Sequence, residues 1–336
     1  MESWRGALRG DPLDWLLEAD TPAVRHATLR TLLDEPVDAP AVRRARAAAM
    51  RADPIAAILA AQDPGGFWEK PGAGYATKYR GTVWSLIFLE QLAADDADRR
   101  VRAACGYVLA HAQTTSGGLG ASGSFVERPP APSAVIHCLN GNLLRALVGF
   151  GWLDDERVRR AIDWEARAIT GDADVRYYAS GTSGPGFACG ANGKLPCGWG
   201  AVKALRGLAA IPPRRRTAPV RRALEEGATF LLSVDPATAG YPTSTNVNSS
   251  WFKLGFPSGY VTDVLQILEV LAELGHAEDP RLANVLDLVL RKQDAEGRWR
   301  NEYAYHGKTW GDIERQGAPS KWVTLRACRV LKAATR

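Results

Sequence analysis

Five cysteines occur in 336 residues, and three of them are placed where chemistry is possible. Cys189 and Cys197 lie on Gly186-Phe-Ala-Cys-Gly-Ala-Asn-Gly-Lys-Leu-Pro-Cys-Gly-Trp-Gly200, a glycine- and proline-rich loop. A helical run from Ala201 to Ile211 follows at once, and Cys138 opens an earlier helical run. A thiol at a helix N-terminus meets the positive end of the helix dipole, which favours thiolate. Thiolates joined by an imidazole form a soft tetrahedral set that suits zinc. His137, beside Cys138, and His306, on the long loop before the last helix, are the candidate fourth ligands; an open fourth position would take water or substrate. The Cys189–Cys197 spacing is looser than a CxxC knuckle, so buried free thiols and a disulfide or redox pair stay open as readings. Cys105 and Cys328 fall inside apolar helical patterns and read as core.

The elements that must position these groups are helical. The first sixty residues read as short helices, with Thr21-Pro22 and Asp53-Pro54 as starts. A period of about sixty residues then appears. Helical runs begin near Lys78, Cys138, Cys197, Pro257 and Ser320, each with a leucine-rich segment. Between them lies a second set with charged faces: Val101 to Ala112, Val158 to Ile169, Val220 to Leu232 and Leu282 to Gln293. The alternation predicts an inner and an outer layer. A loop signature recurs with it. Gln62, Gly66 and Trp68 end one unit; Gln293, Gly297 and Trp299 end another; Gln113 and Gly117 repeat it in part.

Gln-x-x-x-Gly-x-Trp after an outer helix resembles the repeat of the prenyltransferase and squalene-hopene cyclase superfamily. The resemblance covers roughly residues 55 to 335. It implies an all-α fold, an α/α toroid of about five to six helical hairpins with a central cavity. Residues 1–54 are then N-terminal helices packing on the barrel, and 55–336 the toroid, one continuous body. Parallel inner helices gather their N-termini at one mouth, which brings Cys138 and Cys197 face to face on neighbouring helices with Cys189 on the loop between. Protein prenyltransferase β-subunits, which this chain resembles in fold, hold zinc at that rim with Asp, Cys and His. Lanthionine cyclases share the toroid and hold zinc with two cysteines and a histidine, but their neighbouring pair is Cys-His where this chain has His137-Cys138. The Asp-x-Asp-Asp acid of class II terpene cyclases is missing, and Asp95-Asp96-Ala97-Asp98 reads as a solvated turn.

The resemblance thus predicts a zinc-dependent enzyme acting on a small apolar or isoprenoid-like substrate, as cyclase or transferase. Cys138, Cys189 and Cys197 would ligate the metal, completed by His137 or His306. Asp263 and Tyr260 are candidates for proton transfer or anchoring, although Asp263 can equally complement its own helix N-terminus. Trp84, Trp199, Trp251, Phe256, Trp322 and Lys321 are candidates for substrate binding, the aromatics through cation–π contact, and Lys78 and Lys203 lie near the same rim. The alternative is a non-catalytic toroid that binds a ligand or peptide, its zinc structural and tying the loop from Gly181 to Pro196 to two inner helices. Net charge is +5, spread over amphipathic helices without an aromatic-basic motif, which argues against nucleic acid. No signal-peptide pattern or membrane-length apolar run is present, so a cytoplasmic protein is expected. Oligomeric state is not legible.

Overall fold

The structure is a computed structural model and describes residues 3–121, 129–172 and 183–335. The described residues form short α1 (Leu13–Leu16), α2 (Pro22–Thr31) and α3 (Pro40–Ala49), then five helix pairs. The first member of each pair is outer: α4 (Ile55–Ala60), α6 (Arg99–His111), α8 (Glu156–Thr170), α10 (Ala218–Leu231) and α12 (Ala283–Arg291). The second is inner: α5 (Thr82–Gln91), α7 (His137–Gly149), α9 (Gly198–Ala209), α11 (Val264–Glu273) and α13 (Lys321–Ala333). Each inner helix packs on the next, α5 on α7, α7 on α9, α9 on α11 and α11 on α13. This is the expected α/α toroid.

The loop signature has a physical meaning. Trp68 and Trp299 are fully buried, and each indole N–H donates to a carbonyl of its own outer helix, at Ile58 and Val289, both at 2.7 Å. Their backbone N–H groups donate to Thr82 Oγ1 and Thr324 Oγ1 on the following inner helix. The glutamines reach sideways instead. Gln62 Nε2 donates to Arg100 O and Gln113 Nε2 to Arg157 O, on the first turn of the next outer helix. Each Trp therefore joins the two layers within a unit, and each Gln joins one unit to the next. Gly66 and Gly117 are needed as glycines on two counts: each takes positive φ, and a Cβ there would press on the Ala103 or Arg160 carbonyl of that helix.

The same device closes the ring. Gln293 Nε2 donates to Ala7 O, and Arg9 N donates to Gln293 Oε1. Gly297 backs directly onto Gly10, so the chain's first turns stand where a further outer helix would. Lys332 of α13 reaches the Thr31 and Leu32 carbonyls and Asp34 after α2, and Arg46 of α3 pairs with Asp95 and Asp96 between α5 and α6. The N-terminal helices thus lie between the last inner helix and the first, and their Leu16, Val24 and Leu32 belong to the main core.

The tightest contact is α7 against α9. Gly141 and Gly207 sit mid-helix, where glycine is normally unfavourable. A Cβ on Gly141 would strike the Lys203 carbonyl, and one on Gly207 would lie 2.5 Å from Gly141 O. The glycines set the separation of the two helices that carry Cys138 and Cys197. We expect Gly141→Val to lower unfolding stability by about 1–3 kcal/mol through overpacking, read as a reduced denaturant midpoint at unchanged m-value.

Candidate functional site

Cys197 is the N-cap of α9, its sulfur 3.5 Å from Gly200 N. Cys189 lies within hydrogen-bonding reach of the Cys197 thiol, with the Ala191 and Asn192 backbone N–H groups beside its sulfur. The loop is folded on itself to make this contact: Cys189 N donates to Leu195 O at 3.1 Å and Cys197 N to Phe187 O at 2.9 Å. Cys138, in the first turn of α7, lies close enough for the Cys189 charge to raise its pKa, and it borders Cys197 as well. Cys138, Cys189 and Cys197 are partly exposed as residues, although the Cys138 thiol itself lies deep, while Cys105 and Cys328 are buried. The repeat thus leaves Cys138 near the Cys189–Cys197 pair.

Their titration differs. The Cys197 hydrogen bond stabilises the Cys189 thiolate against the cost of burial, the two backbone N–H groups and the nearby His137 add to it, and the Cys189 pKa falls to about 6. Cys197, as the donor, is held above the ordinary thiol value by that bond and by burial. Burial pushes Cys138, Cys105 and Cys328 up to about 12. One thiolate among five cysteines is therefore available at neutral pH.

The histidines are not placed to join it as ligands. His137 is 2% exposed, with Nδ1 2.7 Å from Glu165 Oε1 and Nε2 2.8 Å from Gly184 O. Both ring nitrogens are taken. Burial works against its charge, the Glu165 carboxylate outweighs burial, and its pKa stands above the ordinary value. Asn140 also donates to Glu165. His306 is 72% exposed and faces Asp312. The thiols are the right donors for zinc, but among the described residues no group of three or more His, Cys, Asp or Glu is placed to hold a metal ion. Residues 181 and 182 of the loop considered as a zinc-tied segment lie outside the described residues.

Other candidates serve the scaffold. Asp263 caps α11: Oδ1 accepts from Gln266 N at 2.8 Å, Oδ2 from Gly255 N at 3.2 Å, and Arg326 lies 3.4 Å away. With both oxygens engaged it is a helix cap and not a free proton donor. Lys321 is buried against Glu18, Asp20 and Thr21 of the N-terminal segment, so it does not face a substrate. Phe256 and Trp322 stack on each other at 4.6 Å and are buried.

The remaining aromatics form an arc at the inner-helix N-termini. Tyr75 stacks on Trp84 at 5.1 Å, Trp84 meets Tyr260 at 6.2 Å, Tyr260 meets Trp199 at 6.3 Å, and Trp199 meets Trp251 at 6.2 Å. The Lys78 ammonium lies over Tyr260 at 4.3 Å and Tyr75 at 5.1 Å. Tyr75 in turn feels the charges of Cys138 and Cys189, which joins the arc to the thiols. Trp84 and Trp251 are packed into the arc, whereas Trp199 and Tyr260 keep partly exposed faces. The Trp199 indole N–H is buried without a hydrogen-bond partner, an unsatisfied donor of the kind a bound oxygen atom would complete.

Below the arc, charged side chains from all five inner helices meet on the axis. Arg326 of α13 makes two hydrogen bonds to Glu269 of α11, at 2.9 and 3.0 Å. Arg206 of α9 lies 3.9 Å from the same carboxylate. Arg145 of α7 bridges Glu273 of α11 and Glu90 of α5. Lys203 is fully buried, donates to Gln266, and is driven well below the ordinary lysine value by burial. Burial disfavours the Glu269 carboxylate, yet the facing arginines hold its pKa below the ordinary range. This charged core stands where an apolar central cavity was expected. A cavity of roughly 10 Å³ beside Gly255, Asp263, Gln266 and Tyr305 has room for about one water.

No family model and no curated protein matches the chain. Among solved structures it is similar to the apo type II terpene cyclase MstE from Scytonema, at 15% identity over 94% of this chain and 87% of that one, with a TM-score of 0.45. An unsaturated glucuronyl hydrolase specific for heparin is similar at 12% identity over 94% and 85% of the two chains, TM-score 0.47. A mutant Family 10 polysaccharide lyase from Cellvibrio cellulosa is similar at 14% identity over 68% and 74%, TM-score 0.34. The site is read from its own geometry. No helix among the described residues is long and apolar enough to cross a membrane.

Two outcomes follow from this geometry. Iodoacetamide should alkylate Cys189 first, at a rate that rises with pH through about 6 and levels off above it, because the thiolate is the reactive form. Cys197→Ala should move that midpoint upward by removing the donor; peptide mass mapping against pH checks both. Glu269→Ala should cost about 3–5 kcal/mol, since it leaves Arg206 and Arg326 buried without their carboxylate, measured by urea unfolding.

Proposed function

We propose that this protein is an enzyme working at the N-terminal rim of the toroid, a thiol-dependent acyltransferase or hydrolase for small esters or thioesters of apolar acids. One observation carries the reading: the Cys189–Cys197 pair lies at the same rim as the aromatic arc and Lys78. Cys189 is the nucleophile. Its thiolate adds to the carbonyl carbon, the carbon–oxygen or carbon–sulfur bond to the leaving group breaks, and an acyl-Cys189 intermediate remains. Water or a second nucleophile then takes the acyl group. The Trp199 indole N–H is a donor available to the carbonyl oxygen as negative charge develops. Tyr260 and Trp199 offer aromatic faces to the apolar part of the acid, and Lys78 attracts an anionic substituent. His137 is a positioning residue: held by Glu165 and Gly184 O, it keeps positive charge near Cys189.

The test uses p-nitrophenyl esters of phenylpropionate and acetate. The phenylpropionyl ester should release p-nitrophenolate in a burst matching enzyme concentration, and intact mass should show one acyl group, mapped to Cys189. Cys189→Ala should lose the burst by at least about a hundredfold. Acylation at another residue, or equal rates for the variant, would remove Cys189 as nucleophile. Metal analysis of the same wild-type sample provides a second check: stoichiometric zinc lost on Cys138→Ala, Cys189→Ala or Cys197→Ala would replace this reading with the zinc site that the sequence suggested.

A further inference from the structure

We propose that Cys189 and Cys197 are also a dithiol modification site, which closes to a reversible disulfide by exchange with a small disulfide such as oxidised glutathione. Its effect on turnover rests on the thiolate reading above; the modification itself does not. Three observations support it. The two thiols lie within hydrogen-bonding reach of each other while both are free. The segment between them is pinned at its base, with Ala188 bridged to Pro196, Cys197 N bonded to Phe187 O at 2.9 Å and Cys189 N to Leu195 O at 3.1 Å, which sets the two cysteines at diagonal positions on one face of the antiparallel turn. Its tip is also anchored: Asn192 Nδ2 donates to Pro242 O at 2.9 Å and Asn192 Oδ1 accepts from Ser244 N at 3.2 Å. Closing to a bond of about 2.05 Å then draws two diagonal positions of one short anchored turn together. Neither thiol is sealed in, whereas Cys105 and Cys328 are buried and face no other thiol on their own helices.

The exchange is balanced. Cys189 sulfur attacks one sulfur of the glutathione disulfide, and the first glutathione leaves as thiolate. Cys197 sulfur then attacks Cys189 sulfur in the mixed disulfide, gives up its proton, and the second glutathione leaves. One protein dithiol and one glutathione disulfide become one protein disulfide and two glutathione thiols. The closed form has no thiolate to acylate and loses the donor that Cys197 supplied to Cys189.

The experiment equilibrates the full chain in buffers of varied reduced and oxidised glutathione, then quenches with acid, blocks free thiols and digests without reduction. Trypsin cuts after Lys194, between the two cysteines, so the disulfide appears as a cross-linked peptide pair two hydrogens lighter than the separate peptides. The pair should increase with oxidised glutathione and disappear with dithiothreitol. Cys197→Ser should stop at a glutathione adduct on Cys189, and Cys138→Ser should cross-link like wild type. A stable glutathione adduct on wild-type Cys189 without cross-linking, or a linkage that uses Cys138, would overturn the proposal. Intact cross-linking together with absent ester acylation would remove the enzyme reading alone.

Discussion

The interaction on which the rest depends is the pairing of Glu269 with Arg326 and Arg206 on the toroid axis. Charges removed from water are tolerated only when they face one another closely, and breaking such a set leaves a lone ion in a poor medium. Here the set extends through Gln266 to Lys203 and through Glu273 to Arg145 and Glu90, so every inner helix contributes to it. A ring of helices with leucine facing inward has many equivalent ways to pack. One whose inward faces carry matched charges has far fewer registers that leave none unpaired. The axis network therefore constrains how the inner helices sit, while the leucines between layers supply most of the burial energy. With charge filling the axis, the space left beside Gly255, Asp263 and Tyr305 holds about one water, and a larger cleft of about 220 Å³ opens at the other end of the inner helices beside Glu269, Glu273 and Arg329.

The outer shell is held by a different and repeated device. Trp68 and Trp299 donate the same pair of hydrogen bonds, the indole N–H to an outer-helix carbonyl and the backbone N–H to an inner-helix threonine hydroxyl. Gln62, Gln113 and Gln293 each reach the neighbouring unit. The last of these meets Ala7 and Arg9 rather than a helix of the repeat, which converts a linear array into a ring. The terminal repeat of an open array must cap itself against solvent; in this chain the N-terminal turns do that work and are part of the circle.

Much of this was legible in the sequence because it rests on periodicity. The sixty-residue spacing placed Cys138 and Cys197 on adjacent inner helices, and the Gln-Gly-Trp signature marked the turns between layers. What was not legible depends on partners far along the chain. His137 looked like a ligand because it adjoins Cys138, but neighbours on a helix point about 100° apart, and its ring turns to Glu165 and Gly184. Asp263 could be read as a cavity acid or as the complement of its own helix N-terminus; it caps α11, and what nothing local shows is that Gly255 N and Arg326 also occupy its oxygens. Lys321 meets Glu18 and Asp20 some three hundred residues earlier. The axis network was missed although a signal existed. Lys203 and Arg206 on α9, Gln266, Glu269 and Glu273 on α11, and Arg326 and Arg329 on α13 recur at helical spacing on helices otherwise apolar. A polar stripe on a helix assigned to the inner layer has nowhere to face but the axis.

The rim and the axis are complementary consequences of one arrangement. Parallel inner helices direct their N-termini to the same mouth, so unsatisfied backbone N–H groups and the positive ends of their dipoles gather there. The sequence meets this with side chains that accept from those groups: Asp263 on α11, Ser320 on α13 and Cys197 on α9. Of these three caps only Cys197 carries a second reactive group beside it. Serine or aspartate at that position would cap α9 as well or better. A cysteine there gives a weaker cap, and it sets an S–H donor against Cys189, whose sulfur already has two backbone N–H groups beside it. The loop from Cys189 to Cys197 thus gives up some capping strength in exchange for a polarised thiol pair at the inner-helix N-termini.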